Sequence, residues 1–251
     1  MKHIISAEHL SIERVGEIIE KGYKLELGDD ARQRIQRCRE YLDKKIAENK
    51  APIYGVTTGF GSLCNVSVSA EELEQLQVNL MMSHACGVGD RVPNEIVKIM
   101  LLLKIQSLSY GFSGCKLDTV ERLIDFFNND IYPIVYMQGS LGASGDLVPL
   151  AHLSLPLVGL GEVEFEGEVM TGAAVLEKKG WKPIHLASKE GLALLNGTQN
   201  MSSFAVWGLL QAMKLSDWAD KIAVMSLEAY EGRPEPFTPA VHAVRPHKGQ
   251  I

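Results

Sequence analysis

The stretch Gly139-Ser140-Leu141-Gly142-Ala143-Ser144-Gly145-Asp146-Leu147 lies where a turn is expected to meet the start of an apolar helix. Ala143, Ser144 and Gly145 are small residues in succession, so a turn here can press the Gly145 amide nitrogen against the Ala143 carbonyl carbon. Because Gly145 has no Cβ and tolerates strained dihedrals, it offers the least hindered backbone nucleophile. Attack on that carbonyl and loss of the Ser144 hydroxyl as water would leave a ring with an exocyclic methylidene.

The triplet also has an ordinary structural interpretation. A turn before a helix often has this composition, with an acidic residue such as Asp146 stabilising the first helical turn. The triplet alone therefore does not decide a function, and the interpretation depends on the rest of the chain.

The composition is that of an ordinary globular protein, with 251 residues of which 46% are hydrophobic and 22% charged. The formal net charge of −6 gives no long-range attraction for nucleic acid or anionic lipid, so neither partner is favoured. The cysteines are scattered without a Cys-x-x-Cys pair, and no metal or nucleotide motif stands out. His152, His185, His242 and His247 lack metal-ligand spacing and are predicted to be structural. With no bilayer-spanning run and no leader pattern, we expect a cytoplasmic location.

Helical periodicity dominates the chain and predicts a mainly α fold with one small β element. The predicted helices cover residues 8–23, 31–48, 66–82, 93–110, 116–128, 147–160 and 192–230, the last as one long helix or two joined helices. Alternating polarity on both sides of Gly167 predicts a short hairpin. The glycine-rich residues 51–67 are typical of a mobile loop that can close as a lid. In the last helix we expect burial of Ala205, Val206, Leu209, Leu210, Met213, Leu215, Trp218, Ile222, Val224, Met225 and Leu227.

The segment Ala143-Ser144-Gly145-Asp146 resembles the histidine and aromatic amino-acid ammonia-lyase family, in which this triplet matures into 4-methylidene-imidazol-5-one (MIO). Further segments carry the same resemblance in order along the chain: residues 54–61 (YGVTTGFG), 83–89 (SHACGVG), 189–199 (KEGLALLNGTQ) and 245–250 (RPHKGQ). The resemblance implies elimination of ammonia from an amino acid through an MIO electrophile formed from Ala143, Ser144 and Gly145. It implies no metal or nucleotide cofactor.

The resemblance also implies roles for three side chains. Tyr54 matches the catalytic tyrosine, a base for the substrate β-proton that enters the site when the lid closes. His84 matches the family position at which the identity of the side chain varies with the substrate. The pair Ser83-His84 resembles the histidine lyases, which implies L-histidine as substrate and urocanate as product. Asn196 matches the asparagine that contacts the MIO ring and the bound amino acid. Thr57 departs from the asparagine more common in histidine lyases and resembles the aromatic lyases.

Family members are much longer than this chain, so the resemblance covers the whole chain but only the N-terminal half of a member. It implies an α-rich N-terminal domain with the lid at residues 1–110 and the first part of a long-helix bundle at residues 111–251. In the family, further site residues come from the second half and from neighbouring subunits of a tetramer. We therefore expect a second chain that supplies the C-terminal half and a tetramer-like oligomer; the alternative is a truncated piece of a longer lyase.

Other functions fit part of this pattern. An MIO-dependent phenylalanine or tyrosine lyase would differ at the substrate-recognition pair. An aminomutase would move the amine from the α to the β carbon, and sequence spacing does not separate it from a lyase. A non-catalytic structural or regulatory subunit would need a damaged triplet or a lost tyrosine, whereas this chain keeps Ala143-Ser144-Gly145 and Tyr54.

Overall fold

A computed structural model of the chain describes residues 1–48, 51–59, 68, 72–140 and 145–250. The chain separates into two compact units, Met1–Trp207 and Gly208–Ile251. The domain division after residue 110 that the family resemblance implies stays a prediction.

Helices make up most of the described chain, which confirms the mainly α prediction. The α-helices are α1 (Ile12–Glu20), α2 (Asp29–Glu48), α3 (Leu73–His84), α4 (Asn94–Ser109), α5 (Leu117–Asn128), α6 (Leu147–Ser154), α7 (Gly172–Lys179), α8 (Glu190–Leu195), α9 (Gln199–Ala229) and α10 (Pro239–Ala243). The strands are β1 (Lys2–Ile5), β2 (Lys24–Leu27), β3 (Val88–Arg91), β4 (Tyr132–Pro133), β5 (Tyr136–Gln138), β6 (Glu162–Phe165) and β7 (Glu168–Thr171). Short 3-10 helices cover Leu155–Val158 and Glu235–Phe237.

Two short strands near the N-terminus form a parallel pair that periodicity did not predict. β1 pairs with β2 in a register that runs from Lys2 opposite Lys24 to Ile5 opposite Leu27. The helix predicted over residues 8–23 is therefore too long at both ends. Ser11 Oγ accepts from Arg14 N over 3.2 Å at its start, and Gly22, with a φ of 60°, turns the chain toward β2.

The predicted hairpin around Gly167 is confirmed. β6 and β7 pair in antiparallel register with Val163 opposite Met170. Glu166 and Gly167 have φ values of 54° and 80°, as the tight turn between paired strands requires. β4 pairs with the other side of β6, which makes a sheet of three strands.

α4 lies at the centre of the core of the first unit. Eleven of its sixteen residues are buried, including Leu101 and Leu102 with no exposed surface. It packs against α5, whose Phe126 and Phe127 are buried as well. Full burial of one such side chain stabilises the fold by about 1.5–3 kcal/mol, so α4 fixes the elements that surround it.

Several predicted helices start late or are interrupted. The helix predicted from residue 147 to 160 is α6 as far as Ser154 and a 3-10 helix afterwards; Pro156 lacks the amide hydrogen that a continuing α-helix needs. For residues 192–230, predicted as one long helix or two joined helices, the structure has two helices, α8 and α9, with residues 196–198 between them. The helix predicted from residue 66 begins at Leu73 in the described chain. Residues 60–67, the second part of the predicted lid, and residues 69–71 lie outside the described residues.

The prediction that α9 buries its apolar residues is wrong in this chain. Within α9, which is described in full, only Ser203 is buried. Its exposed large apolar residues are Met201, Trp207, Leu209, Met213, Leu215, Trp218, Ile222, Val224 and Met225. A helix buries a face only where a neighbouring element packs against it, and apolar composition does not provide that neighbour.

In the described part of the chain, no helix combines the length and the apolar character that a membrane span needs.

Candidate active site

Three helix ends that pack against one another hold most of the candidate site. α3 ends at His84, α6 begins just after Gly145 and Asp146, and α8 is followed by Asn196. The helices α3, α6 and α8 contact one another in all three pairs. Because helix ends carry backbone groups without helical partners, this junction places polar backbone within an otherwise apolar unit.

The closest approach at the junction is a parallel backbone bridge between Gly145 and Gly197. The Asp146 N–H donates to the Gly197 carbonyl oxygen over 2.7 Å. A Cβ on Gly145 would lie 2.9 Å from the Gly197 carbonyl carbon and closer still to its oxygen, and Gly145 has a φ of +115°. Both the packing and the backbone conformation therefore require glycine at this position.

Asp146 ties the bridge to its surroundings through a carboxylate that is only 1% exposed. Its Oδ1 accepts from Ser140 Oγ and its Oδ2 from Met201 N, each over 2.9 Å. We expected this carboxylate to stabilise the first turn of α6, but it makes no cap hydrogen bond there and instead accepts from the first turn of α9. The hydrogen bond from Ser140 to Asp146 thus joins the described chain on the two sides of residues 141–144.

Asn196 leaves α8 with its backbone held on both sides. Its N–H donates to Leu192 O over 3.0 Å, and its carbonyl oxygen accepts from Lys104 Nζ over 3.0 Å. Its φ and ψ of −93° and 131° are extended, so the chain changes direction here toward the bridge at Gly197. Within the described chain the side-chain amide of Asn196 makes no hydrogen bond; such an amide has both donors and an acceptor.

The start of α8 is fixed as firmly as its end. Gly191 N donates to Gln77 Oε1 of α3 over 3.1 Å, and a Cβ on Gly191 would lie 2.8 Å from the Gln77 carbonyl oxygen. The fully buried Glu190 accepts from Thr119 Oγ1 over 2.6 Å and from Ala187 N over 2.7 Å. This short helix is therefore a rigid support for Asn196.

His84 ends α3, and a backbone carbonyl determines which of its two ring nitrogens carries the hydrogen in the neutral ring. Its Nδ1 lies 2.8 Å from Leu80 O and 3.1 Å from Ser83 Oγ. Because a carbonyl oxygen only accepts, Nδ1 carries the hydrogen in the neutral ring, which leaves Nε2 as an acceptor. His84 is thus suited to receive a hydrogen bond from a donor such as a substrate imidazole N–H.

The chain that follows His84 is tied to α6 by His152. Gly87 N donates to His152 Nε2 over 3.0 Å, and the ring of Tyr136 meets the His152 ring edge-on with centroids 5.1 Å apart. Burial lowers the pKa of His152, which favours the neutral form that can accept from Gly87. The expectation that His152 is structural agrees with this contact.

The remaining predicted residues are placed in part. Tyr54 lies on a turn and is 62% exposed. Thr57, in the same turn, accepts from Ile53 N through its Oγ1 over 2.9 Å, so its hydroxyl shapes the turn that carries Tyr54. Ala143 and Ser144 lie outside the described residues.

Sequence reasoning missed Lys104, the buried lysine that contacts Asn196. The signal was present in the sequence, since Lys104 follows three consecutive leucines in the strongly apolar segment of α4. A charged residue that an apolar helix keeps inside the core needs hydrogen-bond partners there.

Among the described residues, no cluster of His, Cys, Asp or Glu side chains has the composition of a metal site.

The fold and these contacts define a class of protein: a helical protein whose candidate site is built from glycine backbone at the meeting point of three helix ends. The profile of the family described as aromatic amino acid lyase matches residues 10–251. The chain therefore belongs to the aromatic amino acid lyase family.

Individual relatives agree with this family. The chain is 46% identical over 250 residues to histidine ammonia-lyase from Symbiobacterium thermophilum, covering 100% of this chain and 49% of that protein. It is 45% identical over 247 residues to histidine ammonia-lyase 2 from Fusobacterium nucleatum, covering 98% and 48%. The crystal structure of histidine ammonia-lyase from Trypanosoma cruzi superposes with a TM-score of 0.90 at 35% identity, over 99% of this chain and 49% of that one. The chain thus spans about half the length of these relatives.

Proposed function

We propose that this chain carries the N-terminal share of an ammonia-lyase site that eliminates ammonia from L-histidine to give urocanate. The observation that carries the proposal is the bridge from Gly145 to Gly197, because it joins the end of the Ala143-Ser144-Gly145 triplet to the residue that follows Asn196. The relatives named histidine ammonia-lyase support the choice of histidine. So does the imidazole of His84, whose Nε2 is an acceptor without a hydrogen bond among the described residues.

The residues around the triplet fit the formation of MIO. Gly145 occupies a cradle that a Cβ would fill, so its amide nitrogen stays unhindered. The hydrogen bond from Ser140 to Asp146 holds the two sides of the triplet together. This restraint reduces the loss of conformational entropy on ring closure. Ring closure releases the Ala143 carbonyl oxygen as water with the amide hydrogens of Ser144 and Gly145, and the Ser144 hydroxyl leaves as a second water with its Cα hydrogen. The completed group supplies an electrophile that makes the substrate amine a better leaving group.

The other residues bind the substrate and move its proton. Asn196 offers to the zwitterion and the ring an amide that makes no hydrogen bond among the described residues, from a backbone held by Leu192 and Lys104. His84 accepts from the substrate side chain. Tyr54 takes the β-proton as general base, since a phenol on a surface turn can approach the site when its loop closes.

We further propose that the remaining half of the family's length covers the exposed apolar side chains of α9 and completes the site. It would be supplied by a second polypeptide or by continuous chain, in a tetramer-like assembly. Apolar patches of this extent on a monomer mark interaction surfaces.

Intact mass tests ring formation directly. We expect wild-type protein to lose roughly 36 Da, two waters, relative to its sequence mass, and Ser144→Ala to stop this loss. Ser226→Ala is the control: it removes a serine hydroxyl that donates to Ile222 O within α9 and has no part in the proposed ring closure, so it should keep the mass loss. An unmodified wild-type mass in the fully assembled protein would reject the proposal.

Turnover tests the substrate and the base. Assembled protein should convert L-histidine to urocanate, with Tyr54→Phe slower by roughly 100-fold or more and with its mass loss unchanged. Tyr41→Phe is the control, because Tyr41 is equally exposed at 63%. Preference for phenylalanine or tyrosine would replace histidine as substrate, and a β-amino acid product would identify an aminomutase.

A further inference from the structure

Lys104 is a charged residue at the centre of the core. It lies on α4, is 1% exposed and is among the largest fully buried side chains. An ammonium removed from water is costly unless its hydrogens find acceptors. Lys104 makes no ion pair with any carboxylate in the described chain, so carbonyl oxygens have to serve this purpose.

Both of its acceptors lie at the end of α8. Lys104 Nζ donates to Ala193 O over 3.1 Å and to Asn196 O over 3.0 Å. Carbonyls in the last turn of a helix have no helical partner and carry the negative end of its dipole, so a cation there is stabilised. Burial lowers the pKa of Lys104 to about 8, so the cation persists at neutral pH.

We propose that Lys104 is a positioning residue: by drawing the carbonyl oxygens of Ala193 and Asn196 to one ammonium group, it fixes where the chain leaves α8 and so places the Asn196 side chain and the bridge between Gly145 and Gly197. Asn196 N is already bonded to Leu192 O. With its carbonyl bonded to Lys104, the peptide groups on both sides of its Cα are held. The direction of its side chain is then set without any contact to the side chain itself.

The same arrangement reaches the triplet through one residue. The Gly197 carbonyl oxygen follows the Asn196 carbonyl directly along the chain and accepts from Asp146 N. Loss of the ammonium would free the Asn196 peptide to rotate, and Gly197, with a φ of +147°, would not resist that rotation. The weakened contact would be the hydrogen bond from Asp146 N.

Amide hydrogen exchange in the chain tests this placement. In Lys104→Met, which keeps length and apolar bulk but removes the charge, the Asp146 amide should exchange at least roughly tenfold faster relative to the Leu150 amide. Leu150 N donates to Asp146 O over 3.1 Å and reports on α6 itself. Lys98→Met is the matched control, because Lys98 also lies on α4 but pairs with Asp130; it should leave the ratio unchanged. Equal acceleration of both amides in Lys104→Met would show a merely structural lysine and overturn the proposal.

Lys104→Arg keeps the test open if the methionine variant does not fold. Arginine keeps a cation but is longer, so it should shift the Asn196 carbonyl and accelerate Asp146 exchange selectively, by roughly threefold. An unchanged ratio of Asp146 to Leu150 exchange would also overturn the proposal.

The catalytic meaning of this placement rests on the proposed function. In assembled protein, Lys104→Met should lower kcat more than it raises KM and keep the loss of roughly 36 Da. If wild type neither loses mass nor turns over substrate, the proposed function fails while the exchange result stands. If wild type turns over and Lys104→Met matches it in kcat, the inference about Lys104 fails alone.

Discussion

The helices α4 and α9 are both strongly apolar, but α4 is mostly buried in this chain and α9 is mostly not. Eleven of the sixteen residues of α4 are buried, whereas only Ser203 is buried among the thirty-one residues of α9. Both would be assigned to a core from sequence, since both carry leucine, methionine and isoleucine around the helix. The difference teaches that apolar composition alone does not show whether a helix is buried. Burial also depends on which other elements of the chain pack against it.

The neighbours of α4 explain its burial. It packs against α1, α2 and α5 and against the strands β1 and β4, so polar residues on it must find partners inside. Lys104 does so at the end of α8. On α9 the residues from 208 onward belong to the smaller unit, where Trp218, Ile222 and Met225 are more than half exposed.

The largest expected effect is in α4. Leu102→Ala removes a side chain with no exposed surface and should lower the free energy of unfolding by about 3–5 kcal/mol, because a cavity is left in a packed core. The same truncation at Ile222, which is 58% exposed, should cost less than about 0.5 kcal/mol. Urea denaturation followed by circular dichroism measures both. Similar costs at the two sites would break the contrast between the helices.

The next effect extends the contrast from side chains to backbone. Gly145→Ala places a Cβ against the Gly197 carbonyl and should destabilise the first unit by about 2–4 kcal/mol through overpacking and strain. Gly167→Ala is the control: Gly167 has a φ of +80°, but a Cβ there meets nothing within 4 Å. It should cost about 1 kcal/mol, from conformation alone. If both variants unfold at the same urea concentration, the Gly197 carbonyl does not pack closely against Gly145.

Sequence predicted what depends on local pattern and missed what depends on distant partners. The hairpin around Gly167 followed from alternating polarity and a turn glycine, and α4 and α5 from helical period. The parallel pair of β1 and β2 was missed, because each strand has four residues and the pairing joins segments that α1 separates. The carboxylate of Asp146 was assigned to α6, although Met201 N, fifty-five positions later, is its partner. Contacts between residues that are far apart in the sequence produce no periodic pattern from which they could be predicted.

A smaller expected effect is the pH dependence of stability that arises from His152, which accepts a hydrogen bond from Gly87 in the chain after His84. Burial lowers the pKa of His152, so the unfolded chain binds a proton more readily than the folded chain, and the stability from this group is lost as pH falls below about 6.5. His152→Gln keeps an acceptor for Gly87 but does not titrate, and should remove part of this pH dependence at a cost of about 1 kcal/mol. His3→Gln is the control, since burial also lowers the pKa of His3. The Gly87 amide shift in NMR should titrate in wild type and in His3→Gln but stay constant in His152→Gln; titration in all three proteins would contradict the tie to α6.

The smallest effect on folding, and the sharpest test of the contrast, is at the exposed side chains of α9. Leu215→Gln and Met225→Gln change residues that are each 69% exposed, so the free energy of unfolding should change by less than about 0.5 kcal/mol. The same changes should reduce self-association in sedimentation velocity, because exposed apolar side chains on one helix attract other apolar surfaces. Ile4→Gln is the control for a single exposed apolar residue outside α9, at 61%, and should leave association unchanged. If the α9 variants lose as much stability as Leu102→Ala, α9 is buried in the isolated chain. If they associate as wild type does, its apolar side chains are not a contact surface.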